Sequence, residues 1–228
     1  MSEKKQELPL EEKKRWKILG VEVVYLYLFG IFLAFMGWVG ENIPRAINPV
    51  VGVIDSRFHL LPFISPYLMV SFAIHLMIGD PDHIAFFGKP LFKKKTRKTV
   101  VLSNLICYAV FCLGVFLGEL VVGNLWEVLF GVKLWNYNGW PLTLTQYTSA
   151  VTTFGFGAAA YLIVRFIYKP MMKLIRAKVP FKVAKWICLT LGVAIVLDTV
   201  WMNIQMALFG EAPIYWEIIL PHSRYYVG

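Results

Sequence analysis

Apolar residues in this chain come in long runs separated by short polar segments, without the two-residue alternation of a half-buried strand. Five such runs cover about residues 18–40, 63–78, 100–130, 146–168 and 186–209. A helix crosses a bilayer with about 20 mostly apolar residues, so the run at 63–78 is a short span. Residues 41–62 are too interrupted by Pro and Gly to span as a helix. Irregular backbone at membrane depth is tolerated only against protein or water, which makes this stretch a re-entrant or irregular outer loop. The pattern predicts an all-α integral membrane protein, a five-helix transmembrane bundle over residues 18–209. A polar tail at 1–17 precedes it, and an aromatic outer-interface tail at 210–228 follows.

Composition agrees. Of 228 residues, 58% are hydrophobic and 16% charged, against about 25% charged in soluble domains. The net charge of +9 would suit nucleic acid if it formed a basic–aromatic module, but it does not. Nineteen of the 23 Lys and Arg fall in the first tail, the 80–99 loop and the segment 165–185. Only Arg45, Arg57, Lys133 and Arg224 fall on the other side. This positive-inside bias puts the N-terminus in the cytoplasm and the C-terminus outside, with the first helix a retained signal anchor. Nucleic acid is excluded as a partner; the bilayer is one. Cys107, Cys112 and Cys188 lie inside apolar runs without CxxC spacing and act as buried free thiols. No nucleotide, zinc-protease, nucleophile-elbow or haem pattern occurs, so neither a metal nor a cofactor is expected. His75 reads as a hydrogen-bonded core residue. Asp80, Asp82 and His83 around Pro81 read as a capping turn rather than a metal cluster.

The polar residues inside the spans change the picture most. A charge at membrane depth costs roughly 2.5–3.5 kcal/mol on insertion scales, and such residues mark function by default. The third run carries Glu119 and Glu127 and leads into the turn-forming segment 134–141, LWNYNGWP. At about 1.5 Å per residue, Glu119 lies roughly 28 Å and Asp198 roughly 18 Å from the cytoplasmic boundary. Glu41 closes the first span at a similar outer level. At about 100° per residue, Glu119, Gly123, Asn124 and Glu127 share one face, as do Asp198, Thr199, Asn203 and Gln205. These faces predict an outward-opening acidic cavity. Its lining would be Glu41, Arg57, Glu119, Asn124, Glu127, Trp135, Tyr137, Asp198 and Asn203. A purely structural role, with the acids pairing to arginines and backbone donors, is the competing reading.

The stretch 118–144, GELVVGNLWEVLFGVKLWNYNGWPLTL, resembles the signature of a bacterial membrane family described as putative ABC-transporter type IV, CmpB-like. Gly37, Trp38 and Glu41 are similar to its GWxxE motif. Arg57, Phe58, Pro62, Pro66 and Tyr67 are similar to its RGFLxGPxxPIYG segment. The resemblance covers about residues 37–170. Leu61 and Leu68 stand where the family has Gly, and Asn136 where Asp is usual. The resemblance implies a permease-like protein in a bacterial plasma membrane, served by a separate ATPase subunit.

Three functions follow as expectations. The first is a permease-like transporter component binding a small molecule or ion in the acidic cavity. The second is an intramembrane enzyme of the cyclase or isomerase type, using Glu127, Asp198 or Glu119 for acid–base chemistry on an isoprenoid or lipid. The third is an accessory subunit of a membrane complex.

Overall fold

A computed structural model describes residues 15–47 and 58–216 of the chain, with side chains at 15–42 and 58–216. It is built of helices. A two-strand hairpin, β1 (Lys17–Ile18) and β2 (Val21–Glu22), leads into helix α1 (Val23–Ile47). The short α2 (Tyr67–Met77) follows, then a 3-10 turn (Pro81–His83) and a second hairpin, β3 (Ala85–Phe86) with β4 (Lys89–Pro90). The long α3 (Arg97–Phe130) leads to hairpin β5 (Thr143–Thr145) and β6 (Thr148–Ser149). The chain continues through α4 (Ala150–Leu162), a π turn (Ile163–Tyr168) and α5 (Lys169–Lys178) to α6 (Phe181–Phe209).

Among the described residues, four helices are long and apolar enough to cross a membrane: Val23–Asn42, Arg97–Phe130, Ala150–Lys178 and Phe181–Phe209. The run at 63–78 forms no fifth helix of spanning length among the described residues. Its helix has 11 residues, about 16 Å of rise against a hydrocarbon core of about 30 Å. Residues 58–66 ahead of it are irregular. Pro62 and Pro66 lie in this segment, and proline removes amides that a helix would use. Two other boundaries also shift. Helix α1 runs through Pro44 to Ile47, so the predicted loop at 41–62 begins later; residues 48–57 lie outside the described residues. The fourth span runs on through the basic segment to Lys178, where a loop was expected. The polar tail at 1–14 and residues 217–228 also lie outside the described residues.

The π turn has a local cause. Pro170 has no amide hydrogen, so the carbonyl of Phe166 loses the donor that an α-helix would supply. A wider turn ahead of it is one accommodation.

The helices pack by close approach at small residues, as membrane helices do. A Cβ at Gly30 would run into the Leu68 carbonyl, and one at Gly37 would lie 2.7 Å from the Tyr67 ring. Both clamp α1 to α2. Gly192 of α6 sits against Tyr27 of α1, and Gly157 of α4 against Cys112 of α3. A Cβ at Gly114 or Gly118 would meet nothing within 4 Å among the described residues. The outward faces of α3 and α6 are apolar and exposed, from Leu105 to Val128 and from Leu189 to Leu208. Such surface is unsustainable in water and suits lipid.

Near the start of α1, Leu26, Phe29, Ile74, Ile78, Ile84, Cys107 and Val164 make the main core. His75 is hydrogen-bonded there, with Nε2 2.7 Å from the Ile18 carbonyl oxygen and Nδ1 2.7 Å from the Tyr168 hydroxyl. Asp80 caps the 3-10 turn by accepting from the Asp82 amide at 3.0 Å.

Candidate functional site

Glu119, Gly123 and Glu127 follow one another at four-residue steps on α3, which places them on one stripe of the helix. The segment after α3 folds back along that stripe. Gly131 ends the helix with φ 67°, a left-handed value that favours glycine. Tyr147 then packs against Gly123, where any Cβ would collide with its ring. Its hydroxyl donates to Glu127 Oε2, Gln146 Nε2 donates to the same oxygen at 3.1 Å, and Lys133 Nζ lies 3.5 Å from Oε1. Both oxygens of Glu127 are therefore engaged.

Tyr137 occupies the inner part of the stripe. Its hydroxyl donates to Glu119 Oε1 at 2.9 Å, and the residue is fully buried. The turn holds it there. The Tyr137 amide donates to the Gln146 carbonyl at 2.8 Å, and Thr143 Oγ1 donates to the Tyr137 carbonyl at 2.7 Å. Trp135 Nε1 donates to the Tyr147 carbonyl at 2.9 Å, tying the two tyrosine arms together. Burial, then the Glu119 carboxylate, pushes the Tyr137 hydroxyl above its ordinary pKa; burial, then Glu127, does the same at Tyr147. Both phenols are thus kept protonated, as donors.

Two further groups join Glu119. Tyr67, at the start of α2, donates from its hydroxyl to Glu41 Oε1 at 3.0 Å, and its ring rests on Gly37. Glu41 and Glu119 are close enough to act on one another electrostatically, and Tyr67 feels Glu119 and Tyr137 as well. Two carboxylates and two phenols from α1, α2, α3 and the following turn thus converge. Within this cluster Glu119 Oε2 is buried and has no hydrogen-bond partner among the described residues. A buried acceptor in this condition is rare and calls for an explanation.

Asp198 does different work. Its Oδ1 accepts from the Leu60 amide at 2.9 Å and its Oδ2 from the Leu61 amide at 3.1 Å, with His59 Nδ1 3.4 Å from Oδ2. Trp216 Nε1 donates to the His59 carbonyl at 2.7 Å and stacks edge-on against Trp38. Asp198 therefore satisfies backbone donors of the irregular segment that precedes α2. Asn203 Oδ1 is buried without a partner among the described residues, while Asn124 is exposed and spends its amide on the Leu120 carbonyl at 2.6 Å. Arg57 lies outside the described residues. The predicted lining thus divides: Glu119 and Glu127 lie on the α3 stripe, Tyr137 and Trp135 in the segment that covers it and Glu41 on α1, while Asp198 braces the half-span.

Tyr67, Tyr147, Gln146 and His59 were not among the expected site residues. The signal for Tyr147 and Gln146 was the hairpin-forming run after the turn, which returns the chain toward α3. Tyr67 had only its place in the Pro-Tyr motif.

The family model described as Putative ABC-transporter type IV matches residues 27–202. That range is wider than the motifs alone suggested and takes in Asp198 as well as the α3 stripe. No curated protein and no solved structure matches the chain.

Proposed function

Because this chain belongs to the family described as Putative ABC-transporter type IV, we propose that it is the permease-like membrane component of a transport system. Its solute is a small molecule or ion with a positive charge or strong hydrogen-bond donors. The solute sits between Glu41 and Glu119. The observation that carries this reading is the buried, unpartnered Oε2 of Glu119 beside a second carboxylate. The other oxygen of Glu119, like Oε1 of Glu41, already accepts from a tyrosine. The tyrosines hold the acids in place, and the remaining acceptor is free for a ligand donor.

The sequence carries no phosphate-binding loop, so energy would come from a separate ATPase subunit. The protein would sit in a bacterial plasma membrane with its N-terminus in the cytoplasm and its C-terminus outside. The distribution of Lys and Arg supports that orientation. The hairpin contact of His75 with Ile18 fits it too, since the end of α2 returns to the side where α1 starts.

Native mass spectrometry of protein gently extracted from its own membranes tests the assignment. An ATPase subunit travelling with the chain is the expected result. A lone chain carrying a stoichiometric apolar molecule would overturn it in favour of an intramembrane enzyme.

A further inference from the structure

A second candidate site lies at the other end of α1, some 20 residues from Glu41, where the apolar part of the chain gives way to its basic segments. A cleft of about 630 Å³ opens there, lined by Val21, His75, Tyr168, Lys169, Lys173 and Arg176 among others. The three cations stand on α5 at steps of four and three residues, within an arc of about 60° at 100° per residue. They form one row along the cleft.

The row is anchored at both ends. Lys169 Nζ lies 2.8 Å from Asp80 Oδ2, and Arg176 Nη2 lies 3.2 Å from Glu22 Oε2. Asp80 belongs to the turn after α2 and Glu22 to β2, so each outer cation is fixed to a different wall. Lys173, between them, has no ion pair among the described residues. Three lining cations thus face two carboxylates, and Lys17 adds a fourth cation 3.8 Å from Glu22. Positive charge is left over, and it is centred on Lys173. His75 is not available as a ligand, because both ring nitrogens are engaged by Ile18 and Tyr168. It serves as part of the floor. Val21, Met172 and Ala177 make the rest of the lining apolar.

A row of fixed cations around one unspent lysine, with apolar walls at the edge of a membrane span, is the chemistry of a phosphate ester carrying an apolar stem. We propose that this cleft binds a phosphate group, that of an anionic phospholipid headgroup from the leaflet on the basic side. Lys173 makes the direct contact, while Lys169 and Arg176 set the field. The proposal is independent of the Glu41–Glu119 solute site.

The test uses the full chain in phosphatidylcholine nanodiscs, with phosphatidylglycerol or inorganic phosphate as the added probe. Bound phosphatidylglycerol is read by native mass spectrometry and stability by thermal shift. Two variants are compared, Lys173→Gln and Lys182→Gln; the second removes a nearby exposed cation that does not line the cleft. Phosphatidylglycerol is expected to be retained by the unaltered chain and by Lys182→Gln, and to bind about fivefold more weakly to Lys173→Gln. Protection by inorganic phosphate with the same Lys173 dependence, and none added by the lipid, would keep the phosphate site and assign it to a soluble ester. No retention of either probe, or equal loss in the two variants, would overturn the proposal.

Discussion

At Glu119 one carboxyl oxygen holds a phenol and the other has no partner among the described residues, whereas at Asp198 both oxygens are filled by backbone amides. The two acids should therefore respond differently to substitution. Glu119→Gln keeps an acceptor for Tyr137 and exchanges the free acceptor for a donor. The variant should fold normally and lose binding of tetramethylammonium or guanidinium, read as thermal protection that only the unaltered chain shows. Protection surviving in the variant would remove Glu119 from the site. Asp198→Ala strands the Leu60 and Leu61 amides, at a cost of about 1–3 kcal/mol. It should melt lower in detergent, with Asp198→Asn between it and the unaltered chain; an unchanged melt for Ala would end the bracing role. The helical step made the Glu119–Gly123–Glu127 stripe legible in the sequence. The tyrosines covering it were not, because an angle on a helix does not say which later segment folds onto it. The partners of Asp198 were hidden for a related reason: depth and angle describe a regular helix, and those partners sit on irregular backbone.

Among elements, the close contacts at glycine make a sharper prediction than burial does. A Cβ at Gly157 would sit 2.5 Å from Cys112 Sγ and 3.1 Å from the Cys112 amide nitrogen and Cα. Backbone cannot yield as a side chain can, so Gly157→Ala should separate α3 from α4 at a cost of about 1–3 kcal/mol. Gly155→Ala, with nothing within 4 Å, is the matched control and should melt like the unaltered chain. Equal melts for the two would show that the α3–α4 contact is not tight. The long apolar runs were readable from length and composition, and four of them form helices of spanning length. The half-span was not readable as such: the run at 63–78 is apolar apart from Ser65, Ser71 and His75, and only Pro66, with Pro62 just ahead of the run, hinted that the helix starts late. Nor could composition place the end of α1, where the chain tolerates Pro44 within a helix.

Taken as a whole, the molecule is two polar ends joined by apolar helices, and the basic end has a predictable acid limit. Asp82 is held below the ordinary aspartate pKa first by the Asn104 amide, against opposition from burial, and then by Arg165. At Asp80 burial works upward, but Lys169 and the Asp82 amide outweigh it, and the carboxyl is again lowered. Groups lowered on folding contribute stability above the unfolded value of about 3.9 and lose it as pH falls through the folded value. The melting temperature should therefore hold level from neutrality to about pH 5 and decline below about pH 4. In Asp82→Asn that decline should be shallower; an identical acid limb would show that these pairs do not set it. Charge distribution along the sequence pointed to the basic side of the membrane. It could not show that Asp80 and Glu22 tie two of those cations into a row.

The π turn at Ile163–Tyr168 sets the phase of that row. A turn of this kind amounts to one residue inserted into a regular helix. Its six residues carry the chain about as far round the axis as five would in an α-helix, so the extra residue is absorbed within the turn. With every residue kept but the turn straightened to α geometry, everything beyond it would rotate by about 100°. The apolar half would stay in register with α3, yet Lys169, Lys173 and Arg176 would swing away from Asp80 and Glu22. The wide turn is thus what aims the basic half of this helix at its two carboxylates while the lipid-facing half keeps its own packing.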